Sequence, residues 1–326
     1  MPSLSTTDED MERMGKLARK FGCPDLVPLR RPTTVPAQIQ YLDLLPSKNL
    51  PKEILLSQAV AEFQGRAVIY FVDGSDANHD REQIRDLQQR LANRGDHAVL
   101  AIARPGDLTI YPINLDRTEL LDDRWECVTP NQDDAPYLFQ GLACGTRPLE
   151  GSMTAADPVF SEIHRLMSQA SKALAGEKGE GPLDGLTVLS MTGRALFFRF
   201  LIDRDIVRDE DLPEICPNSP PRKLADVFSC AENAAQTSAW LDITFNGDLL
   251  PLLENITKKT LPDDRRQRYL QAYREAGKES GNKLFIHMEA MLKGYEACQD
   301  NIQLTFEVDW NDLNFRHIPV GVLSQV

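Results

Sequence analysis

The residues best suited to chemistry are carboxylates beside the first strongly apolar run. That run, Ala67–Val72, predicts a buried strand, and Asp73 and Asp76 follow it directly. Mg²⁺ prefers carboxylate oxygens, so Asp73, Asp76 and the upstream Glu62 are candidate catalytic residues of a metal-dependent hydrolase. The competing interpretation, which the local sequence favours, is that Asp73 and Asp76 are turn residues beside Gly74.

A second candidate site is a basic cluster in the C-terminal half. The DNA-contact candidates are Lys258, Lys259, Arg265, Arg266 and Arg268. Acidic neighbours, Asp263 and Asp264, favour the plainer interpretation of a solvated helical face. The formal net charge of -13 also opposes general affinity for a phosphate backbone, although it permits a local basic face.

Cysteine and histidine patterns indicate no zinc site and no nucleophilic triad. The 6 cysteines are scattered without a CxxC pair, and the 5 histidines are isolated from one another. No apolar run approaches the length of a bilayer span, and the acidic N-terminal residues do not resemble a secretory signal. We therefore predict a cytoplasmic protein with reduced thiols, no membrane partner and no cofactor bound to this chain.

The elements that would position the carboxylates form an α/β pattern. A helix is predicted over 81–91, capped by Asp80, and strands are predicted over 97–103 and 108–113. Residues 11–21 predict an earlier helix, which a proline-punctuated linker follows. Together these elements predict a small mixed sheet.

From residue 183 onward the apolar spacing is helical. The longest run, 188–203, predicts a buried helix. Shorter helices are predicted over 224–241, 249–256, 262–276 and 283–292. The predicted fold is an α/β N-terminal domain followed by a mainly α-helical domain. Its parts are an N-terminal helix and linker (1–50), the α/β domain (51–150) and the helical domain (151–326).

Three segments of the helical region stand out. The first, 196–207, reads as a buried helix that closes on Asp203-Arg204-Asp205. The second, 245–251, holds an Asn-Gly turn and then Asp248 as a possible helix cap. The third, 313–324, places Pro319 where a helix would begin. Because residues 314–323 are apolar and lack a polar tail, we expect them to pack against a following domain.

In this order the three segments resemble the region that precedes the methyltransferase domain in adenine-specific (N6) DNA methylases of the restriction–modification type, including fused type IIG enzymes. The family follows such a helix with a Phe-Asn-Gly-x-Leu-Phe-like element, which Phe245–Leu249 matches, with Leu250 where an aromatic is common. An Ile-Pro-Val-containing element comes next and is similar to 315–326. The resemblance covers 183–326.

The resemblance implies that the catalytic motifs lie elsewhere. The family's next domain binds S-adenosylmethionine and carries an Asn-Pro-Pro-aromatic tetrad that holds the flipped adenine. This sequence contains no such tetrad and no Gly-rich cofactor-binding turn. The expectation is that this chain does not methylate alone, that DNA is bound through the full-length protein, and that defence-system subunits are possible partners.

The resemblance also suggests that the N-terminal domain is related to a nuclease domain. Fused enzymes of the family often begin with a PD-(D/E)xK nuclease domain, whose late half is a helix, a strand, a glycine turn and a strand. Residues 81–113 are similar to that half. The strand 68–73 offers no Glu-x-Lys, which predicts a degenerate nuclease-like core.

Three functions remain open from the sequence. The leading hypothesis is the N-terminal scaffold of a DNA adenine methyltransferase from a restriction–modification or phage-defence system. The second is an active Mg²⁺-dependent endonuclease, in which Asp73 converges with Glu53, Glu62 or Asp76 beside a lysine such as Lys52. The third is an acidic, non-enzymatic interaction protein that binds a basic partner or mimics DNA.

Overall fold

The computed structural model of the chain divides into two compact units. The first comprises Met1–Val159 with His317–Gln325, and the second comprises Phe160–Arg316 with Val326. The residues that the structure describes are 8–30, 36–45, 54–74, 80–113, 126–147, 149, 158–176, 179–245, 261–294, 310 and 312–318.

The first unit is built on a mixed sheet. Its helices are α1 (Asp8–Lys20), α2 (Arg81–Ala92) and α3 (Leu138–Ala143), with 3-10 turns at Pro36–Tyr41 and Ala135–Tyr137. Its strands are β1 (Val27–Pro28), β2 (Ala59–Phe63), β3 (Arg66–Asp73), β4 (Val99–Arg104), β5 (Asp107–Pro112) and β6 (Glu126–Val128). Six strands are thus described, and they lie in sequence order across the sheet.

The parallel pair at the centre of the sheet explains the position of α2. Neighbouring strands are antiparallel except β3 and β4, which run parallel with Asp73 opposite Ala103. Parallel strands need a crossover, and α2 supplies it. Because β3 is buried along Ala67–Val72, both of its faces are covered, as the continuous apolar run predicts.

The two faces of the sheet hold different side chains. On one face, α1 and α3 contribute Met14 and Leu138 to a cluster that includes Ile69 and Phe71 of β3. Alternate side chains of a strand point to opposite faces, so Tyr70 lies on the other face. The helix predicted over 81–91 and the strands predicted over 67–72, 97–103 and 108–113 are confirmed within a few residues as α2, β3, β4 and β5.

The sequence did not predict strands β1, β2 and β6, because they are short or irregular. Strand β1 is only 2 residues long and includes Pro28, which lies in the stretch predicted as a linker. A proline cannot donate to the ladder and is tolerated at a sheet edge, which is where β1 lies. Strand β2 carries a register shift at Ala61/Glu62 that breaks its alternation.

The second unit is helical in its described part. Its helices are α4 (Pro158–Ala175), α5 (Gly185–Asp203), α6 (Leu212–Ile215), α7 (Ala231–Phe245), α8 (Pro262–Glu279) and α9 (Lys283–Lys293), with 3-10 turns at Asp209–Asp211 and Leu224–Asp226. A mixed sheet followed by a mainly helical region matches the predicted fold class at this level. The predicted helix over 249–256 lies outside the described residues.

Helix boundaries differ from the predicted ones for local reasons. The N–H of Thr187 donates to Asp184 Oδ1 at 3.0 Å, which caps α5 and starts it three residues earlier than predicted. The predicted helix over 224–241 is instead a 3-10 turn followed by α7. Ser229 Oγ donates to the carbonyl of Asp226 at 2.7 Å, which competes with continuation of the helix.

Helix α5 is the one described helix that is long and apolar enough to cross a bilayer. Its side chains at Val188, Met191, Phe198 and Leu201 are buried within the protein. Such burial is typical of a core helix.

Two glycines near α1 provide a matched test of the fold. Gly22 has φ +75°, and a Cβ there would lie 2.2 Å from the carbonyl oxygen of Pro136, whereas a Cβ at Gly15 meets nothing within 4 Å. We expect Gly22→Ala to destabilise the protein by about 2 kcal/mol or more, through strain and the clash. We expect Gly15→Ala to be neutral or to stabilise by up to about 1 kcal/mol. Urea unfolding followed by circular dichroism measures both, and equal effects would contradict the described position of Gly22.

Candidate functional site

Asp73 lies at the carboxyl end of the parallel strand pair. It closes β3, and the N–H of the next residue, Gly74, donates to the carbonyl of Ala103 at 2.8 Å. Arg13 Nη2 of α1 lies 2.7 Å from Asp73 Oδ2 and also bonds Asp10 at 3.1 Å. The Asp73 carboxylate is therefore engaged by a cation of the protein itself.

A cavity of about 240 Å³ opens beside this ion pair. Its charged lining residues are Arg13, Lys16, Lys20, Asp73 and Arg104. Met14, Leu17 and the turn at Pro105–Gly106 complete the wall. Since the lining has four cationic side chains and one carboxylate, the cavity is basic in an otherwise acidic chain.

Glu62 lies at the other end of β3 from Asp73. It pairs in register with Ala67, and its Oε1 accepts a hydrogen bond from Tyr41 Oη at 2.7 Å. Ala67 and Asp73 are six residues apart on one strand, so roughly 20 Å separates the two ends. The structure therefore does not bring Glu62 and Asp73 together.

The remaining members of the expected metal site are Asp76, Glu53 and Lys52, which lie outside the described residues. Within the described part of the chain, no group of three or more His, Cys, Asp or Glu side chains is placed to hold a metal ion. The described carboxylates thus leave the active-nuclease hypothesis without an assembled centre.

The basic cluster on α8 is largely matched by local acids. Arg265 is only 6% exposed, so it does not present its charge to solvent. Arg266 pairs with Asp263 at 3.3 Å and Arg268 with Asp264 at 3.4 Å, each one turn apart. Lys258 and Lys259 lie outside the described residues. Of the described members, Arg266 and Arg268 alone retain the exposure that a DNA contact requires.

A largely buried polar network that the sequence did not reveal surrounds Arg94, which follows α2. Arg94 Nε donates to Tyr70 Oη at 3.0 Å and to Asp96 Oδ2 at 2.8 Å, and Nη1 pairs with Asp43. The guanidinium lies over the Tyr41 ring, 5.1 Å from its centroid. Asp43 and Arg94 are far apart in sequence, which is why no local motif marks the network.

His317 joins this network through Asp43. Its Nδ1 lies 2.9 Å from Asp43 Oδ2, and its side chain is 6% exposed. Burial by itself raises the pKa of the Asp43 carboxyl, but hydrogen bonds from His317 and Arg94 outweigh it and hold that pKa below its usual range. Burial likewise raises the pKa of the Tyr70 hydroxyl. These partners satisfy the buried charges, and the network ties residue 317 into the first unit.

A second network closes the C-terminal end of α5. Arg199 Nε bonds both carboxylate oxygens of Asp203, at 2.8 and 3.0 Å. Its Nη1 donates to the carbonyls of Met291 and Leu292 at 2.7 and 3.1 Å, and its Nη2 donates to the carbonyl of Leu313 at 3.4 Å. One guanidinium thus links α5, the last turn of α9 and the segment that begins near 312.

The same end of α5 fixes the backbone of Phe315. Asp203 Oδ2 accepts the Phe315 N–H at 3.0 Å, and Arg204 Nε donates to the Phe315 carbonyl at 3.1 Å. Leu313, Phe315 and Ile318 are each 0% exposed. The described part of the terminal apolar segment is therefore covered by its own chain, so the expectation that it packs against a following domain is wrong for these residues. Its continuation from Pro319 lies outside the described residues.

The second of the three segments also reaches α5. Phe245, the last residue of α7, packs edge-on against Phe197 at 5.6 Å and against Trp240 at 5.5 Å between ring centroids. Its Asn-Gly continuation lies outside the described residues. All three segments singled out by sequence therefore have members that meet around the C-terminal half of α5.

No protein-family model, curated protein or solved structure matches this chain. The chain forms two units. The first has a basic cavity at the carboxyl ends of strands β3 and β4. The second has a partly buried ion pair between Arg199 and Asp203, which we call the clamp.

The clamp can be tested against a neighbouring carboxylate. Asp203 and Arg199 are 14% and 13% exposed, so Asp203→Asn leaves a partly buried guanidinium poorly paired, and we expect a loss of about 2–4 kcal/mol. Asp205 is 50% exposed and lies 3.5 Å from Arg316, so Asp205→Asn should cost less than about 1 kcal/mol. Thermal unfolding of both variants measures the difference. Similar midpoints would show that Asp203 contributes no more than a surface charge.

Metal binding at Asp73 has its own test. We expect Mg²⁺ to leave the thermal midpoint unchanged in both the wild type and Asp73→Ala, because Arg13 already neutralises the carboxylate. An ion bound at about a hundredfold its Kd would instead stabilise the protein by about 2.7 kcal/mol. A Mg²⁺-dependent shift, or Mg²⁺-dependent DNA cleavage, that is present in the wild type and lost in Asp73→Ala would restore the nuclease hypothesis.

Proposed function

We propose that this chain is the N-terminal scaffold of an adenine-specific (N6) DNA methyltransferase from a restriction–modification or phage-defence system. The observation that carries the proposal is the meeting of the three family-like segments around one helix. Asp203 and Phe315 are 112 residues apart in sequence, yet they are joined directly by a hydrogen bond. Segments that a family places in a fixed order thus also share one structural role here.

The clamp suggests what the scaffold does. Both backbone polar groups of Phe315 are engaged, one by Asp203 and one by Arg204. A segment held in this way would fix the position from which a following domain extends. In the proposed protein, that polypeptide is the methyltransferase domain, which supplies the S-adenosylmethionine site and the adenine pocket. The contribution of this chain is then to support and orient that domain.

The sheet unit adds a second, weaker line of support. Helix α2, strand β4, the turn at Pro105–Gly106 and strand β5 follow one another in the order expected of the late half of a PD-(D/E)xK nuclease domain. Asp73 is held by Arg13 and lies far from Glu62. We therefore propose a nuclease-like module that retains the framework without the metal centre. A cytoplasmic location and defence-system partners are parts of the same proposal.

The test compares this chain with the longer polypeptide that the proposal requires, in which this chain precedes a methyltransferase domain. We expect the longer polypeptide to transfer methyl groups from S-adenosylmethionine to adenine in duplex DNA, and this chain alone to transfer none. Mass spectrometry of nucleoside digests measures N6-methyladenine. A downstream sequence without an Asn-Pro-Pro-aromatic tetrad, or a longer polypeptide without methylation, would contradict the proposal.

Two arginine variants then separate scaffolding from chemistry. Arg199→Met in the longer polypeptide should lower the yield of folded enzyme, while the methylation rate per folded molecule is retained. Arg274→Met is the matched control, since Arg274 pairs with Glu232 on the surface and is 61% exposed. If Arg199→Met folds normally but loses methylation, Arg199 acts in the chemistry rather than in the scaffold.

A further inference from the structure

We infer that the cavity beside Asp73 binds phosphate groups of a nucleic-acid strand, and that it does so without a metal ion. Three of its cationic residues, Arg13, Lys16 and Lys20, lie at helical spacing on one face of α1. Arg104 adds a fourth charge from the end of β4. The site therefore draws on two elements that the fold holds side by side.

The charges in this cavity are unequally neutralised. Arg13 is paired with Asp73 and Asp10, and Lys16 is paired with Glu12 on the surface, where both side chains are about two-thirds exposed. Surface pairs of this kind are weak and exchange readily for a better anion.

The other two cations lack a carboxylate partner within the described part of the chain. Lys20 has no partner there, and Arg104 donates to the neutral Thr109 Oγ1 at 3.2 Å. Asp107 lies opposite Arg104 in the hairpin register without forming an ion pair with it. Lys20 and Arg104 are therefore the charges most available to a ligand.

The polarity of this arrangement selects an anion over a cation. Mg²⁺ would meet four positive side chains and a single carboxylate that already has a guanidinium partner. The same lining attracts phosphoryl oxygens, since arginine and lysine are the side chains that bind phosphate in proteins. The cavity volume of about 240 Å³ accommodates such groups.

The extent of the cationic row favours a strand over a free phosphate ion. Lys20 lies seven positions after Arg13, a rise of roughly 10 Å along α1. That length exceeds one phosphate group and suits successive phosphates of a backbone, with sequence-independent contacts. At Gly106, φ is +105° and a Cβ would meet nothing within 4 Å, so the turn leaves this side open. The identification of the strand as DNA rests on the proposed function, whereas the anion site itself does not.

Adjacent residues on α1 provide the matched comparison. Lys20 lines the cavity, whereas Arg19 is paired with Asp25 and does not line it. Lys20→Gln and Arg19→Gln remove the same charge from the same helix. The probe is a short fluorescent single-stranded oligonucleotide, titrated with the full chain at several salt concentrations and followed by anisotropy. Circular dichroism confirms that each variant is folded.

We expect Lys20→Gln to weaken binding about three- to tenfold and to reduce the salt slope by about 0.7, with a further loss in Lys20→Gln/Arg104→Gln. Arg19→Gln should bind like the wild type. Asp73→Asn should bind equally well or more tightly, because it removes a negative charge from the site. Chelating divalent cations should change nothing.

Each contrary result has a definite meaning. Equal losses in Lys20→Gln and Arg19→Gln, no binding at all, or a loss in Asp73→Asn that depends on Mg²⁺ would overturn the inference. The chain could instead bind inorganic pyrophosphate, more weakly in Lys20→Gln, and bind no oligonucleotide. That result would support an anion site but would contradict a nucleic-acid strand as the ligand. Methylation by the longer polypeptide is measured separately, so failure of either proposal is distinguishable from failure of the other.

Discussion

The guanidinium of Arg199 joins three separate parts of the helical unit. Its Nε donates a bifurcated hydrogen bond to both carboxylate oxygens of Asp203, and Nη1 and Nη2 donate to three backbone carbonyls, those of Met291, Leu292 and Leu313. Two of these carbonyls belong to the last turn of α9, where a helix leaves its acceptors without internal donors. The cation therefore satisfies orphan acceptors and opposes the negative end of the helix dipole at once.

An ion pair that is largely removed from water is costly, and its geometry explains why this one is useful. Removing two charges from water costs several kcal/mol, which the pair recovers only when the remaining donors and acceptors are also satisfied. Arg199 and Asp203 meet that condition through backbone groups that belong to different parts of the chain. Replacing them with apolar residues could retain the packing but would release the backbone of Phe315. The pair thus specifies where one segment lies, which hydrophobic burial alone does not.

Local patterns predicted the elements well, because the relevant signals are local. The apolar run of β3, the Asp80 start of α2 and the periodicity of α5 and α8 each depend on residues within a few positions. Strands β1 and β2 depend instead on partners: Val27 pairs with Val60, and Ala59 pairs with Phe71. A two-residue strand containing a proline carries no periodicity of its own. Its existence is a property of the sheet rather than of its sequence.

The candidate sites separate in the same way. The i,i+4 pairing of Arg199 with Asp203 is visible in the sequence, but its backbone partners, Met291, Leu292 and Leu313, are not. The network of Arg94 with Asp43 and His317 unites residues from three distant parts of the chain. No periodic pattern reports such contacts, because they depend on tertiary packing.

Asp73 shows how a distant residue can reverse the chemistry that a motif suggests. Viewed along the chain, it is an acid at the end of a buried strand, in the place where a hydrolytic metal ion would be held. Arg13, 60 residues earlier, bonds that carboxylate at 2.7 Å and comes with a row of cations on α1. The electrostatic potential at the end of these strands depends on every charge within about a Debye length, and not only on the residue that a motif identifies. The carboxylate of Asp73, which could coordinate a metal ion in another setting, is here the counter-ion that directs Arg13 at the cavity. The cavity therefore suits an anion rather than a cation.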